Sequence, residues 1–132
     1  MQFQVIEPFD ERGRSPALQR YERARYLMKA GAFEDAAFLF LDASAEEPHF
    51  KTFELLGECY MRMARPTQAI PFLAAASRLK QGVRAPSLLA EAWMALGQHT
   101  EAVEAADIAL LRDPKNKAAL RVRQLATPII ER

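Results

Sequence analysis

Cysteine is nearly absent from the chain: Cys59 stands alone among 132 residues, so no intrachain disulfide can form. Its helical surroundings read as a place for a small buried hydrophobe rather than a reactive thiol, and the lone thiol suits a reducing compartment. Histidine is as scarce. His49 and His99 lie fifty residues apart, and no His–Cys or paired-His spacing is present to hold a metal. The five glycines never gather into a phosphate-cradling loop, and neither a nucleophile elbow nor a Cys–His motif occurs. The acidic residues fit helix ends and exposed faces. The reading is therefore no enzyme, no catalytic residue, no metal and no cofactor.

Two further absences narrow the class. No apolar run approaches the roughly 18 residues of a membrane span, and "MQFQVIEPFDER" lacks the basic start and apolar stretch of a secretory leader. A cytoplasmic protein without a membrane partner is expected. Excess charge is also missing: 18 Lys and Arg face 17 Asp and Glu, a net charge of +1, which argues against a nucleic-acid partner. Present instead are 50% apolar and 27% charged residues, the balance of a soluble folding chain. At this length one core suffices.

What the chain does have is a repeat. "LMKAG" at 27–31, "YMRMA" at 60–64 and "WMALG" at 93–97 stand 33 residues apart, and sliding the sequence by that step aligns much more. Small residues recur at Ala24, Gly57 and Ala90; large apolar ones at Leu27, Tyr60 and Trp93; then Gly31, Ala64 and Gly97. Ala36, Ala69 and Ala102 align, as do Ala43, Ala76 and Ala109, while Phe40 and Leu73 meet the smaller Ala106. Pro48 and Pro114 close the first and third units, with Gln81 in the second.

Each unit reads as a helical hairpin. In the first helix the small residue precedes the large one by three, so both share a face and a second helix can approach closely. Gly31 and Gly97 stand where a helix C-terminus needs a left-handed residue. Second helices are predicted over 33–46, 66–79 and 99–112, with Glu34, Asp35 and Glu101 near their positive N-termini. Pro71 falls inside the middle one, which should start late or bend.

The pattern resembles the tetratricopeptide repeat (TPR) family over about residues 17–114, most specifically in "FELLGECY", "AGAFEDAAFLFLDA" and "LGQHTEAVEAADIALLRDP". A 33-residue period also suits ankyrin repeats, but their Thr-Pro-Leu-His signature is absent. The resemblance implies an all-α fold: a right-handed α-solenoid of three helix-turn-helix hairpins plus a capping helix, about seven helices in all. Repeats should span about 17–49, 50–82 and 83–115 of a single domain over 15–132, with the cap over about 115–126, stopped by Pro128. Arg23 replaces the leucine found at Leu56 and Leu89, which gives the first hairpin a more solvated outer side. Residues 1–14 match no part of the repeat and read as an extended arm that packs on the first hairpin or is partly mobile, or that lies as a pseudo-ligand in the chain's own groove or a neighbouring copy's. Met1 reads as a true N-terminus, whereas "PIIER" leaves room for a continuation.

The family holds peptides or partner helices on a concave side lined by first helices. Beside each packing stripe, positions i, i+4 and i+7 share another face. They are Tyr21, Arg25 and Met28; Glu54, Glu58 and Met61; Ser87, Glu91 and Met94. These should line the groove, with Lys51, Arg62, Arg84, Leu120 and Gln124 at its borders. The three methionines either fill space between adjacent first helices or form an adaptable floor for a ligand. Family members that clamp heat-shock carboxylates use Lys, Asn and Arg on these helices. Here Tyr21, Arg25 and Glu58 occupy that region and Arg84 alone fits, so a mixed or mildly basic ligand is expected at the acidic centre.

The functional expectation is a protein–protein interaction module, an adaptor or small chaperone for a peptide or helix of another protein, resembling in size the chaperones of bacterial secretion systems. Alternatives are a self-associating scaffold, such as a homodimer, and a regulatory module of an enzyme complex. An RNA-binding repeat is disfavoured by charge.

Overall fold

In the computed structural model, which describes residues 9, 10 and 12–132, the small-residue positions become helix crossings. Ser15 starts the array: its Oγ accepts the Leu18 N–H at 3.1 Å, and Pro16 opens α1 (Pro16–Lys29) at the position where a missing N–H costs nothing. There follow α2 (Phe33–Glu46), α3 (Phe50–Arg62), α4 (Pro66–Leu79), α5 (Arg84–Ala95), α6 (His99–Arg112) and α7 (Lys117–Ile130). The described residues thus contain seven helices and no strand, and the second helices begin and end where the repeat places them. Of the 1–14 arm, residues 1–8 and 11 lie outside the described residues. Asp10 and Arg14, held together by a side-chain ion pair, form a turn ahead of α1.

The recurring Met and small-residue motif proves to be one helix ending used three times. Gly31 donates to the Met28 carbonyl at 3.0 Å and Ala32 to Leu27 at 2.9 Å. Ala64 and Arg65 repeat this onto Met61 and Tyr60, as do Gly97 and Gln98 onto Met94 and Trp93. Such paired bonds satisfy the last carbonyls of a helix only if the turning residue is left-handed. Gly31 has φ 82° and Gly97 φ 73°, and Ala64 is held at φ 56°. A Cβ in that region costs about 1–2 kcal/mol, partly offset by the backbone entropy a glycine loses. Exposed Ala64 loses no packing on trimming. Ala64→Gly is therefore expected to stabilise the protein by about 1 kcal/mol in a urea melt, and Gly31→Ala or Gly97→Ala to destabilise it by a similar amount.

Two prolines depart from expectation. α4 starts at Pro66 and does not start late; Pro71 sits on its exposed side, where the Thr67 carbonyl that loses its bond also faces water. α7 starts at Lys117, after Asn116 accepts the Ala119 N–H at 2.9 Å, and Pro128 does not stop it. The helix runs on to Ile130 because Pro128 also lies on an exposed flank and the freed Gln124 carbonyl is at the surface.

The core explains the small residues. Gly57 lies against Leu73: a Cβ added there would come within 2.5 Å of the Leu73 Cγ and Cδ2, and Leu73 is fully buried with no room to retreat. Phe40, Leu56, Leu73 and Cys59 form the heart of the first two hairpins. Burial pushes the Cys59 thiol up to about 11, which keeps it protonated and inert. The third hairpin and α7 pack instead through Ala90, Ala102, Ala106 and Ala119, with Trp93 laid partly over them. Leu89 touches both clusters and joins them. Arg23 is exposed whereas Leu56 is fully buried, the difference expected of an end hairpin.

Each hairpin packs on the next through a second helix against the following first helix. First helices also meet one another, α3 with α5 and α5 with α7, while the second helices make no comparable contact. A stack that is closer on one side curves toward that side, so α3, α5 and α7 face the inside of the curve, where the repeat puts α1 as well. No helix among the described residues is long and apolar enough to cross a membrane.

Candidate functional site on the first helices

The inner face is built from the flanks of α1, α3 and α5 that the packing stripes leave over. Met28, Met61 and Met94 are all partly buried, the first two against the core of the first two hairpins and Met94 against the alanine cluster. Since each Met precedes its left-handed residue by three, all three stand at the last turn of a first helix, one per hairpin. They pack and remain accessible at once.

Around them the charges are organised in ways the repeat alone does not show. Glu54 is only 6% exposed, with Lys51 Nζ at 2.9 Å and Arg84 Nε at 3.8 Å from its carboxylate. Glu58 is bound closely by the other end of the Arg84 guanidinium. The acidic centre is thus neutralised from within, since two carboxylates face one lysine and one arginine. Of the acids expected to face a mixed or mildly basic ligand, Glu54 and Glu58 are thus already paired within the chain. Ser87 is likewise withdrawn, 7% exposed, with its Oγ donating to Asn116 Oδ1 at 3.3 Å and so tying α5 to the cap of α7. Glu91 stays exposed as a residue, yet burial of its carboxyl pushes the pKa up, against the pull of Arg121 and Arg84. Of the border residues, Leu120 and Gln124 are exposed on α7.

At the α1 end the arrangement differs. Tyr21 meets Phe40 edge-on at 5.8 Å, and the Arg25 guanidinium lies over the Tyr21 ring at 5.9 Å. Arg62 lies over Phe33 at 4.9 Å, joining the first hairpin turn to α3. A cleft of about 320 Å³ opens there between Arg25, Met28, Lys29, Phe33, Leu55 and Arg62. A second cavity, about 420 Å³, lies near the other end of α1, where Leu18 and Tyr21 face His49 and Phe50. The sequence brought Arg25, Met28 and Arg62 to this face, but Phe33 and Leu55 were missed as lining residues. The signal available was Phe33 itself, an aromatic at a helix start where Pro66 and His99 stand in the other units. Among the described residues no three His, Cys, Asp or Glu side chains converge as metal ligands would.

Comparison with known proteins follows the same architecture. Residues 27–85 match the family model of the tetratricopeptide repeat. No curated protein sequence matches the chain. Among solved structures, the first TPR of Spaghetti (RPAP3) bound to the HSP90 peptide SRMEEVD superposes with a TM-score of 0.81 at 19% identity, covering 88% of this chain and 94% of that one. The second TPR domain of human RPAP3, in complex with the HSP70 peptide SGPTIEEVD, gives 0.79 at 20% identity over 84% and 94% of the two chains. The type III secretion chaperone SycD of Yersinia enterocolitica, in complex with a peptide of the translocator YopD, gives 0.72 at 20% identity over 92% and 95%. Likeness at such identities speaks of fold, and that fold agrees with the matched repeat and with three hairpins closed by identical turns. Residues 27–85 carry a tetratricopeptide repeat match, and the chain has the fold of solved TPR domains.

Proposed function

We propose that the chain is a non-enzymatic adaptor or small chaperone that holds a peptide or helix of another protein against α1, α3 and α5, in the cytoplasm, where a lone free thiol is at home. The observation that carries this reading is the methionine row. Met28, Met61 and Met94 recur one per hairpin on the inner side of the curve, each anchored in the core and each still partly open. Unbranched, polarizable side chains in that position can reshape to fit irregular apolar groups without disturbing the stack. The peptide complexes of RPAP3 and SycD support the same use of this fold.

The test is selection from a displayed library of random peptides, followed by titration of the selected peptide onto variants of the intact protein. Met28→Arg and Met61→Arg are each expected to weaken binding about tenfold or more, because a charge placed on the apolar floor must be desolvated. Leu111→Arg, at a fully solvated position 85% exposed on α6, should leave binding unchanged. Loss of binding in Leu111→Arg with the Met variants unaffected would move the site to the outer face and overturn the reading.

Self-association is a second reading with its own observation: Tyr26 (73% exposed) and Phe38 (65% exposed) are large apolar side chains left bare on the first hairpin. Sedimentation velocity decides it. A dimer that Phe38→Lys dissolves supports a scaffold, and a single monomeric species at all concentrations removes it.

A further inference from the structure

The near-neutral net charge conceals a separation. α2, α4 and α6 carry seven acidic residues against two arginines, whereas α1, α3, α5 and α7 carry ten lysines and arginines against four glutamates. The second helices, on the outside of the curve, are thus an acidic side. α2 is the extreme case, with four acids and no cation. Two of the four are spent, Glu34 on Arg65 at 3.2 Å and Glu46 on Arg20 at 3.0 Å. Asp35 and Asp42 have no ion-pair partner among the described residues. Between them stands Phe38, 65% exposed, three residues after one and four before the other, with exposed Leu41 on the same face. Packing does not call for an aromatic there. The 33-residue step puts exposed Pro71 at this place in α4 and exposed Glu104 in α6, and Leu41 is matched by Ala74 and Asp107. The first unit alone of the three presents a large apolar pair to water, rimmed by unpaired carboxylates.

We infer that the outer face of α2 docks a basic amphipathic helix of a second partner protein, whose apolar side chains lie on Phe38 and Leu41 while its lysines or arginines pair with Asp35 and Asp42. The charges choose this occupant. A second copy set against the same face by a two-fold axis brings Asp35 and Asp42 onto their own counterparts, and like charges so juxtaposed oppose the contact. An anionic membrane or a nucleic acid meets the same repulsion. A helix fits the spacing, because its residues three and four apart share a face just as those of α2 do. The inference does not rest on the methionine row. The first helices are the basic side, so the two sides select opposite charges and can be occupied at once, which is what an adaptor joining two proteins requires.

The test is a displayed library of amphipathic helical peptides with Leu fixed at the apolar positions and Lys, Gln or Glu free at the flanking ones. It is selected on the intact protein and counter-selected on Phe38→Gln, which removes the ring without changing the charge. Selection is expected to return peptides rich in Lys. Titrated by fluorescence anisotropy, the most enriched of them should lose about tenfold or more in affinity on Phe38→Gln, and as much on Asp35→Asn with Asp42→Asn, losses of the size that an apolar anchor and charge-assisted hydrogen bonds give. Its binding should weaken as salt rises. The substituted positions are exposed, and circular dichroism checks that each variant stays helical. Enrichment of Gln or Glu, no peptide that tells the wild type from Phe38→Gln, or a Lys peptide bound equally by the Asn double variant overturns the inference. A dimer seen by sedimentation velocity that Phe38→Gln dissolves, with no Lys peptide enriched, assigns the face to a second copy and overturns it too. Each of these results leaves the inner-face reading standing, since that is decided separately by Met28→Arg and Met61→Arg.

Discussion

Phe40→Ala is expected to cost about 4 kcal/mol, a quarter or more of the stability of a domain that holds about 5–15 kcal/mol in total. Phe40 is 0% exposed and sits where the first hairpin meets the second, in one cluster with Ala24, Leu56, Leu73 and Tyr60. Removing its ring leaves a void among close-packed buried residues, Ala24, Ala36 and Ala69 among them, that are too short to fill it. The edge contact with Tyr21 is lost as well, and such a pair contributes about 0.5–1.5 kcal/mol beyond its area. Phe40→Leu, which keeps most of the volume, should recover well over half. Urea denaturation followed by far-ultraviolet circular dichroism measures both. A loss below about 1 kcal/mol for the alanine variant would mean that the first hairpin is not held by this ring. The variant also bears on binding, since Tyr21, freed from Phe40, is the ring on which Arg25 rests.

Arg112→Ala is the second large effect, about 2–3 kcal/mol. The guanidinium at the end of α6 reaches back to the end of α4, donating to the Gly82 carbonyl at 2.9 Å, Ser77 at 3.2 Å and Lys80 at 3.3 Å. The last carbonyls of a helix lack partners within it, and a cation there also meets the negative end of the helix dipole. Trimming the side chain strands several acceptors at once and unties the third hairpin from the second. Arg112→Lys should restore only a minor part, because an ammonium cannot spread its donors over three carbonyls in one plane. An alanine variant as stable as the wild type would assign these bonds to the solvated class that contributes nothing.

The hairpin turns were legible in the chain because they are local: a small residue, a large one three later and a left-handed residue four beyond that specify a helix face and its end without reference to anything distant. Ala64 is informative here. It aligns with Gly31 and Gly97 without being a glycine, and its positive φ puts it in the same left-handed turn. The late start expected from Pro71 and the stop expected from Pro128 were misjudged for the opposite reason. A proline's cost depends on whether the carbonyl it strands can reach water, and exposure is a tertiary property. The pairing at the charged centre is tertiary as well. Glu54 has Lys51 three residues earlier on its own helix, but Glu58 looks free on a helical projection of α3, and only the neighbouring hairpin, which delivers Arg84 to both, reveals that it is spent. Ser87 was placed on an open face and is buried because α7 closes over it through Asn116.

The central claim, that the methionine row is the floor of a partner-binding face, is tested most directly by carbon-13 methyl spectra of methionine-labelled protein, titrated with the peptide selected from the displayed library. Met63 serves as the internal control: it packs on the same core as Met28 and Met61 but lies off their flank of α3, at its C-terminal cap. The account expects the methyl signals of Met28, Met61 and Met94 to move together as the site saturates while Met63 stays in place. Saturation with those three signals unmoved would contradict it.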